Sequence, residues 1–400
     1  MRLNKITLVL FPFLFLATTS CSDDDNNEQN SVSVPDAYVF EREGVSTVDY
    51  SGQSSRILML QELGNYIKDQ GAADAVVDVA ILNNMYSNSN SPFSTLELNE
   101  SGKQLRDKTA ASKDYFVNLG GGGSSVEQTN VRSFFESQFD NANAASNGTI
   151  AAENIPGVYL DGTTKRLIAA NGLEPQQIIL KGLMGACFMD QVVNNYLSLA
   201  VLDESTNRAD NTNKVLVEGK NYTNMEHKWD EAYGYIYGAG GGKYWDSYIN
   251  QVDADADFNF LKADIELAFR KGRAAIVANN YSLRDQQIAI IKEKLALVPA
   301  VRGVYYLIDG KSKLVTDNGA KAFHALSEAY GFIMSLRYTN NPATGTPYMS
   351  KTEVDALLAE LTGGTNGLWD IDYLNDHLDN IALDIATRFG FTVEEASIVN

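Results

Sequence analysis

Two of the chain's three histidines occupy the same local setting. His227 opens the stretch His227-Lys-Trp-Asp-Glu231-Ala-Tyr-Gly-Tyr-Ile236. His324 opens His324-Ala-Leu-Ser-Glu328-Ala-Tyr-Gly-Phe-Ile333, and six of the ten positions are identical. On a helix, residues four apart point the same way. Each copy therefore presents an imidazole nitrogen beside a carboxylate, a donor set suited to iron or zinc. If the two copies are related by a pseudo-twofold axis, His227, Glu231, His324 and Glu328 converge on one cleft. The plain alternative is a His–Glu hydrogen bond that only fixes helix packing. The stripe continues through Gly234 and Gly238 in the first copy and Gly331 and Ser335 in the second. A glycine inside a helix costs about 1 kcal/mol relative to alanine. Its presence in both copies implies the close approach of a helix, a ligand or a backbone, and makes these four the candidate pocket-lining positions.

The opposite face of each copy is apolar: Trp229, Ala232, Tyr233 and Ile236, against Leu326, Ala329, Tyr330 and Ile333. That face belongs to a core. The similarity also extends outward. Gln176-Gln-Ile178 and Gln286-Gln-Ile288 each open a long apolar segment, which ends at Asn195-Tyr-Leu197 and at Tyr305-Tyr-Leu307. Downstream, a Gly-containing loop leads to Tyr244-Trp-Asp246 in one half and Leu368-Trp-Asp370 in the other. A shared order of this kind marks an internal duplication.

The elements that must carry these residues are helices. Apolar residues recur at helical spacing over 51–71, 72–86, 104–119, 127–145, 173–201, 222–237, 258–279, 285–308, 316–336, 351–361 and 371–389. The best strand signal is Val158 to Ile168, with Asp161-Gly162 as a hairpin turn. The predicted class is all-α: an internally duplicated helical bundle with at most a short β-hairpin near 158–168. Residues 36–172 form an N-terminal helical region, 173–280 the first repeat and 281–400 the second.

The N-terminus reads as an export signal. Arg2 and Lys5 precede the apolar run Ile6–Ala17, which is too short to span a bilayer. Thr18-Thr-Ser20 before Cys21 resembles the lipobox of bacterial lipoproteins, with Thr18 where Leu is usual. The resemblance implies that residues 1–20 are removed and Cys21 is acylated. Residues 21–35 follow as an acidic tether, with Asp23, Asp24, Asp25 and Glu28. This tether is similar to the signal that sends lipoproteins of one Gram-negative phylum to the cell-surface side of the outer membrane. The formal charge is −19; loss of Arg2 and Lys5 takes the mature chain to −21. Nucleic acid and anionic lipid are poor partners for such a surface.

Other signals carry less chemistry. Gly238 to Lys243 lacks the strand and the Ser/Thr of a phosphate loop. Asp253-Ala-Asp-Ala-Asp257 has calcium-loop spacing, but Phe258 stands where glycine is needed. It reads as a solvated, helix-capping segment. His377 reads as a surface or cap histidine, and Cys187, in an apolar run, as a small buried hydrophobe.

Phe323-His324-Ala325-Leu326-Ser327-Glu328 resembles the Gly-x-His-x-x-Glu signature of the imelysin family. Here three residues separate His from Glu instead of two, and Ala322 replaces the glycine. The resemblance covers roughly residues 173–390. It implies an exported, largely helical protein with two related bundles, associated with iron uptake, and it carries over only to His324 and Glu328. The whole chain also resembles a group of exported bacterial lipoproteins of unassigned function. The expectation is a surface lipoprotein that binds iron, haem or another metal species for uptake beside a TonB-type receptor. The alternatives are a metallopeptidase-like hydrolase using a glutamate as base, and a scaffold or glycan-binding subunit without metal.

Overall fold

The computed structural model describes residues 32–118, 125–315 and 319–398. The export signal, Cys21 and most of the acidic tether lie outside the described residues. The chain enters along a strap that contains a small hairpin, β1 (Glu41–Arg42) and β2 (Val45–Ser46). The helices α1 (Ser51–Ala72), α2 (Val79–Ser87), α3 (Leu96–Glu100) and α4 (Ser125–Asn147) follow. A second hairpin pairs β3 (Gly157–Asp161) with β4 (Thr164–Ile168) through a turn at Gly162, whose φ is +60°. These two hairpins are the sheets of the described residues, and the fold is a mainly helical bundle.

The first repeat begins at α5 (Pro175–Leu183), with Pro175 in its first turn. The chain continues through two π-helical stretches, Met184–Met189 and Val192–Tyr196, and then α6 (Leu199–Leu202) and α7 (Asn207–Thr212). The signature helix α8 (Asn224–Tyr237) is opened by a capping box between Thr223 and Glu226. After it come α9 (Trp245–Asp253) and α10 (Leu261–Val277). The second repeat holds α11 (Tyr281–Lys313), the second signature helix α12 (Ala320–Leu336), α13 (Lys351–Leu361), α14 (Ile371–Phe389) and α15 (Val393–Ser397).

Four expectations need correction. Besides the hairpin near 158–168 a second one forms at Glu41–Ser46, and the long helix expected over 173–201 ends as α-helix at Leu183 and continues through the two π-helical stretches. A helix over 104–119 does not form; the described part holds turns and one π-helical stretch, Lys113–Asn118. The backbone N–H groups there are bonded elsewhere: Ala110 to the Ala186 carbonyl, Ala111 and Ser112 to the Asp190 carboxylate. The second helix starts at Val79 instead of 72, where Asp78 caps it by accepting from the Ala80 N–H.

Both signature helices bury the expected apolar face. Trp229, Ala232, Ile236, Leu326, Ala329 and Ile333 are at most 1 % exposed. Tyr233 and Tyr330 are half-buried against the same core. The N-terminal strap is clamped to α8. Tyr38 stacks on Tyr233 at 3.6 Å between ring centroids, and its hydroxyl donates to Asp230. Buried Arg273 on α10 reaches Asp230 at 2.9 Å and Glu226 at 3.3 Å, and Arg42 closes the network onto Glu226.

Candidate functional site

The two stripes rest on different helices. In the first copy, a Cβ at Gly234 would stand 2.3 Å from Tyr50 Cβ and 3.1 Å from Gln53 Cβ, at the start of α1. Gly238 lies against Ser54. In the second copy, a Cβ at Gly331 would stand 2.4 Å from Lys181 Cβ on α5, and Gly185 leaves room for Ser335. The Ser335 hydroxyl donates to the Lys181 carbonyl. The space in front of Gly234, Gly238, Gly331 and Ser335 is thus filled by α1 or α5, and at Gly234 and Gly331 any side chain would collide with the covering helix. Among the described contacts, no residue touches both His227 and His324.

The two copies nonetheless build one pattern. Tyr196 and Tyr306, the residues aligned at the ends of the two long apolar segments, each lie beside the signature glutamate of their own half. A polar side chain from the covering helix meets each glutamate as well. Gln53 donates to Glu231 Oε1 at 3.1 Å, and Lys181 Nζ stands 3.1 Å from Glu328 Oε1. The duplication therefore includes the polar partners as well as the core.

The copies differ in what remains open. Glu231 has both oxygens engaged, Oε1 by Gln53 and Oε2 by Lys228 at 2.9 Å. His227 Nε2 stands 4.0 Å from Glu231, and the Tyr222 ring covers its face at 4.5 Å. Burial lowers the His227 pKa against the pull of Glu231. The imidazole of the first copy is therefore a neutral, packed ring at neutral pH.

In the second copy His324 Nδ1 is 2.7 Å from Glu174 Oε2 and 2.8 Å from the Arg166 guanidinium. One ring nitrogen cannot donate to the first and accept from the second. Donation to Glu174 is favoured, because that carboxylate is 4 % exposed and needs donors. Arg166 already bonds Asp161 at 2.6 Å. Glu174 is itself fixed by its place before Pro175 and by its backbone N–H, which donates to the Ser327 hydroxyl one turn along α12. A carboxylate on Nδ1–H leaves the lone pair on Nε2, the arrangement that prepares a histidine to bind metal or to act as a base. Nε2 faces Glu328 Oε2 at 3.6 Å.

Burial pushes the Glu328 carboxyl up, but Lys181, His324 and a hydrogen bond from Tyr306 outweigh it and hold the group below the usual glutamate range. Lys181 is affected in the matching sense: burial lowers its pKa, and Glu328 more than restores it. Both groups stay charged.

His324 also stands between two cavities. One, of about 380 Å³, is lined by Lys68, Arg166, Glu174 and Gln177 among others. The other, of about 400 Å³, is lined by Arg166, Arg302, Tyr305, Tyr306, His324 and Glu328 among others. Arg166, Glu174 and Lys181 did not stand out in the sequence. They come from a hairpin and a helix some 150 positions before His324, although a lone lysine in the apolar run Ile178–Leu183 was a visible signal for one of them.

His377 stacks on Tyr373 and pairs with Glu360 at the surface, away from these cavities. Cys187 is fully buried, and burial pushes its thiol up to about 12, as befits a packing residue. Asp253 and Asp255 accept backbone N–H groups of Lys262 and Asp257, which agrees with capping. Among the described residues there is no group of three or more His, Cys, Asp or Glu side chains placed to hold a metal ion. No described helix is long and apolar enough to cross a membrane.

The fold is a mainly helical bundle, and among the described residues His324, oriented by the Glu174 carboxylate, stands at a polar cleft. Residues 35–392 match the family described as a domain of unknown function (DUF4856), and the chain belongs to that family. No curated protein and no solved structure matches it.

Proposed function

We propose that the protein binds a metal species, iron or zinc, at His324 and Glu328, and does so as an exported lipoprotein anchored through Cys21 to the surface of the outer membrane, where it works beside an uptake receptor. The observation that carries the metal reading is the pair His324 Nε2 and Glu328 Oε2, 3.6 Å apart with Nδ1 held by a buried carboxylate. Two ligands bonded to one tetrahedral ion stand about 3.3 Å apart, so the pair needs only a small closing movement. Glu174 serves as the outer carboxylate that ligating histidines usually have. The imelysin-like motif and the lipobox-like N-terminus support the same reading.

The proposed site sits in the second copy alone. His227 and Glu231 keep the inherited pattern, but both Glu231 oxygens are engaged by Gln53 and Lys228, and the His227 ring is stacked under Tyr222 with its pKa lowered by burial. The hydrolase reading is weaker, because Glu328, paired with Lys181 and held low, is a poor general base.

Calorimetric titration with Zn²⁺ tests the reading. His324→Ala is expected to weaken binding by about tenfold or more, and His227→Ala to leave it within about threefold. Equal binding by wild type and His324→Ala would contradict it.

A further inference from the structure

We propose that the outer edge of β4 binds an extended peptide segment of another protein, which adds to the hairpin as a third strand and sets an acidic side chain against Lys68. This goes beyond the metal reading and does not depend on it. The register of the hairpin identifies the open edge. Val158 donates its N–H to the Thr149 carbonyl and accepts from the Ala151 N–H, so its backbone groups face away from β4. Hydrogen-bonded and non-bonded pairs alternate along an antiparallel ladder. Val158 stands opposite Leu167 and Leu160 opposite Lys165, so the N–H and C=O groups of Lys165 and Leu167 point away from β3. Among the described residues, none of these four groups has a hydrogen-bond partner.

The edge opens on a cavity. Residues 164–167 line the one of about 380 Å³, together with Asn65 and Lys68 from α1 and Gln176 and Gln177 from α5. Gln176 ties the two helices together by donating to the Gly64 carbonyl at 2.6 Å. A volume of this order lies within the range of ligand sites. Donors and acceptors repeated two residues apart along one edge match the backbone of an added strand.

The charges of the lining are unequal in what they have left to offer. Arg166 is paired with Asp161, Lys165 with Asp74, and Glu174 with His324. Lys68 is exposed on α1 and makes no ion pair among the described residues. Its ammonium is the charge left for a ligand, and a carboxylate complements it. A small anion would satisfy Lys68 and leave the β4 backbone unpaired. An apolar segment would do the reverse. An extended peptide with an acidic residue meets both.

The test screens the purified protein against a randomised hexapeptide array and measures the selected peptides by fluorescence polarisation. Methylation of the peptide nitrogens, one at a time, tests strand addition from the ligand side. On the protein side, Lys165→Pro removes an outward N–H and leaves the ladder bonds to β3, while Lys165→Ala controls for the lost ammonium. Circular dichroism checks that each variant folds. Acidic peptides are expected to be selected. Methylation at alternate residues should weaken them by about tenfold or more and at the intervening residues by less than about threefold. Lys165→Pro and Lys68→Glu should each weaken binding by about tenfold or more, and Lys165→Ala by less than about threefold. The inference is overturned if no hexapeptide binds, if the effect of methylation does not alternate, or if Lys68→Glu leaves affinity unchanged. If a synthetic peptide of residues 22–31 binds more tightly than the best hexapeptide, the chain's own tether is the occupant and the assignment to another protein falls.

Discussion

Lys181 and Glu328 show why this site is stable enough to be polar. Both are nearly buried, they stand 3.1 Å apart, and each holds the other charged. Removing one partner of a buried pair leaves an uncompensated charge, at a cost of about 3–5 kcal/mol, whereas replacing both with apolar groups is often close to neutral. Lys181→Met should therefore lower the unfolding free energy by about that amount in urea titrations, and Lys181→Met/Glu328→Leu should recover most of it. A loss below about 1 kcal/mol in the single variant would show that water reaches the pair. Asp190 gives a second prediction. Full burial raises its carboxyl to about 7, despite hydrogen bonds from Ser112, Asn194 and Ala111. A carboxyl raised in the folded state contributes stability that is complete below the unfolded pKa and lost as pH rises through the folded one. The urea midpoint should thus fall between pH 5 and pH 8, and Asp190→Asn should flatten that slope. His227, lowered by burial, acts in the opposite sense over the same range, so the comparison with the variant carries the result. His324 and Glu328 could be picked from the sequence because they recur at a fixed spacing. Arg166 and Glu174 could not, since nothing local marks residues that become neighbours only when α5 and β4 fold onto α12.

The glycines of the signature helices are explained by helix contact. Ala at Gly331 would bring its Cβ to 2.4 Å from Lys181 Cβ, and at Gly234 to 2.3 Å from Tyr50 Cβ. Neither neighbour is the far end of a flexible side chain, so a helix must shift. Gly331→Ala and Gly234→Ala should each destabilise the protein by about 1–3 kcal/mol, net of the gain in helix propensity. Gly303, inside α11, is the control: its nearest neighbour would be 3.7 Å away, and Gly303→Ala should stabilise by about 0.5–1 kcal/mol. Thermal or urea unfolding separates the two signs; stabilisation by all three would remove the close-packing account. Helical periodicity located most of these elements well, with α14 at Ile371–Phe389 and α13 at Lys351–Leu361. It failed over 104–119 because apolar spacing there serves packing around Asp190, while the backbone bonds to Asp190 and Ala186 and Ala110 takes a positive φ. Periodicity also could not foresee the π-helical turns after α5, which begin where Gly182 and Gly185 admit Phe135 and Ser335.

The two repeats depend on one another and on what precedes them. α1 covers the stripe of α8, and α5, from the first repeat, covers the stripe of α12. A fragment starting at Tyr281 lacks the wall that buries Glu328, Gly331 and Ser335. It should remain unfolded or aggregate, as judged by circular dichroism and by the dispersion of its NMR spectrum; a folded fragment would mean that α12 does not need α5. The duplication was legible in the sequence, but which helix covers which stripe was not, because that pairing links segments about 150–180 positions apart. As a result the polar chemistry collects at the second copy, between two cavities, and the first copy is packed. The central claim is that His324 and Glu328 hold a metal. Anomalous diffraction from crystals soaked with Zn²⁺ or ferric citrate tests it most directly. The prediction is a single strong peak within bonding distance, about 2 Å, of both His324 Nε2 and Glu328 Oε2. A peak elsewhere, or none at this pair, would contradict it.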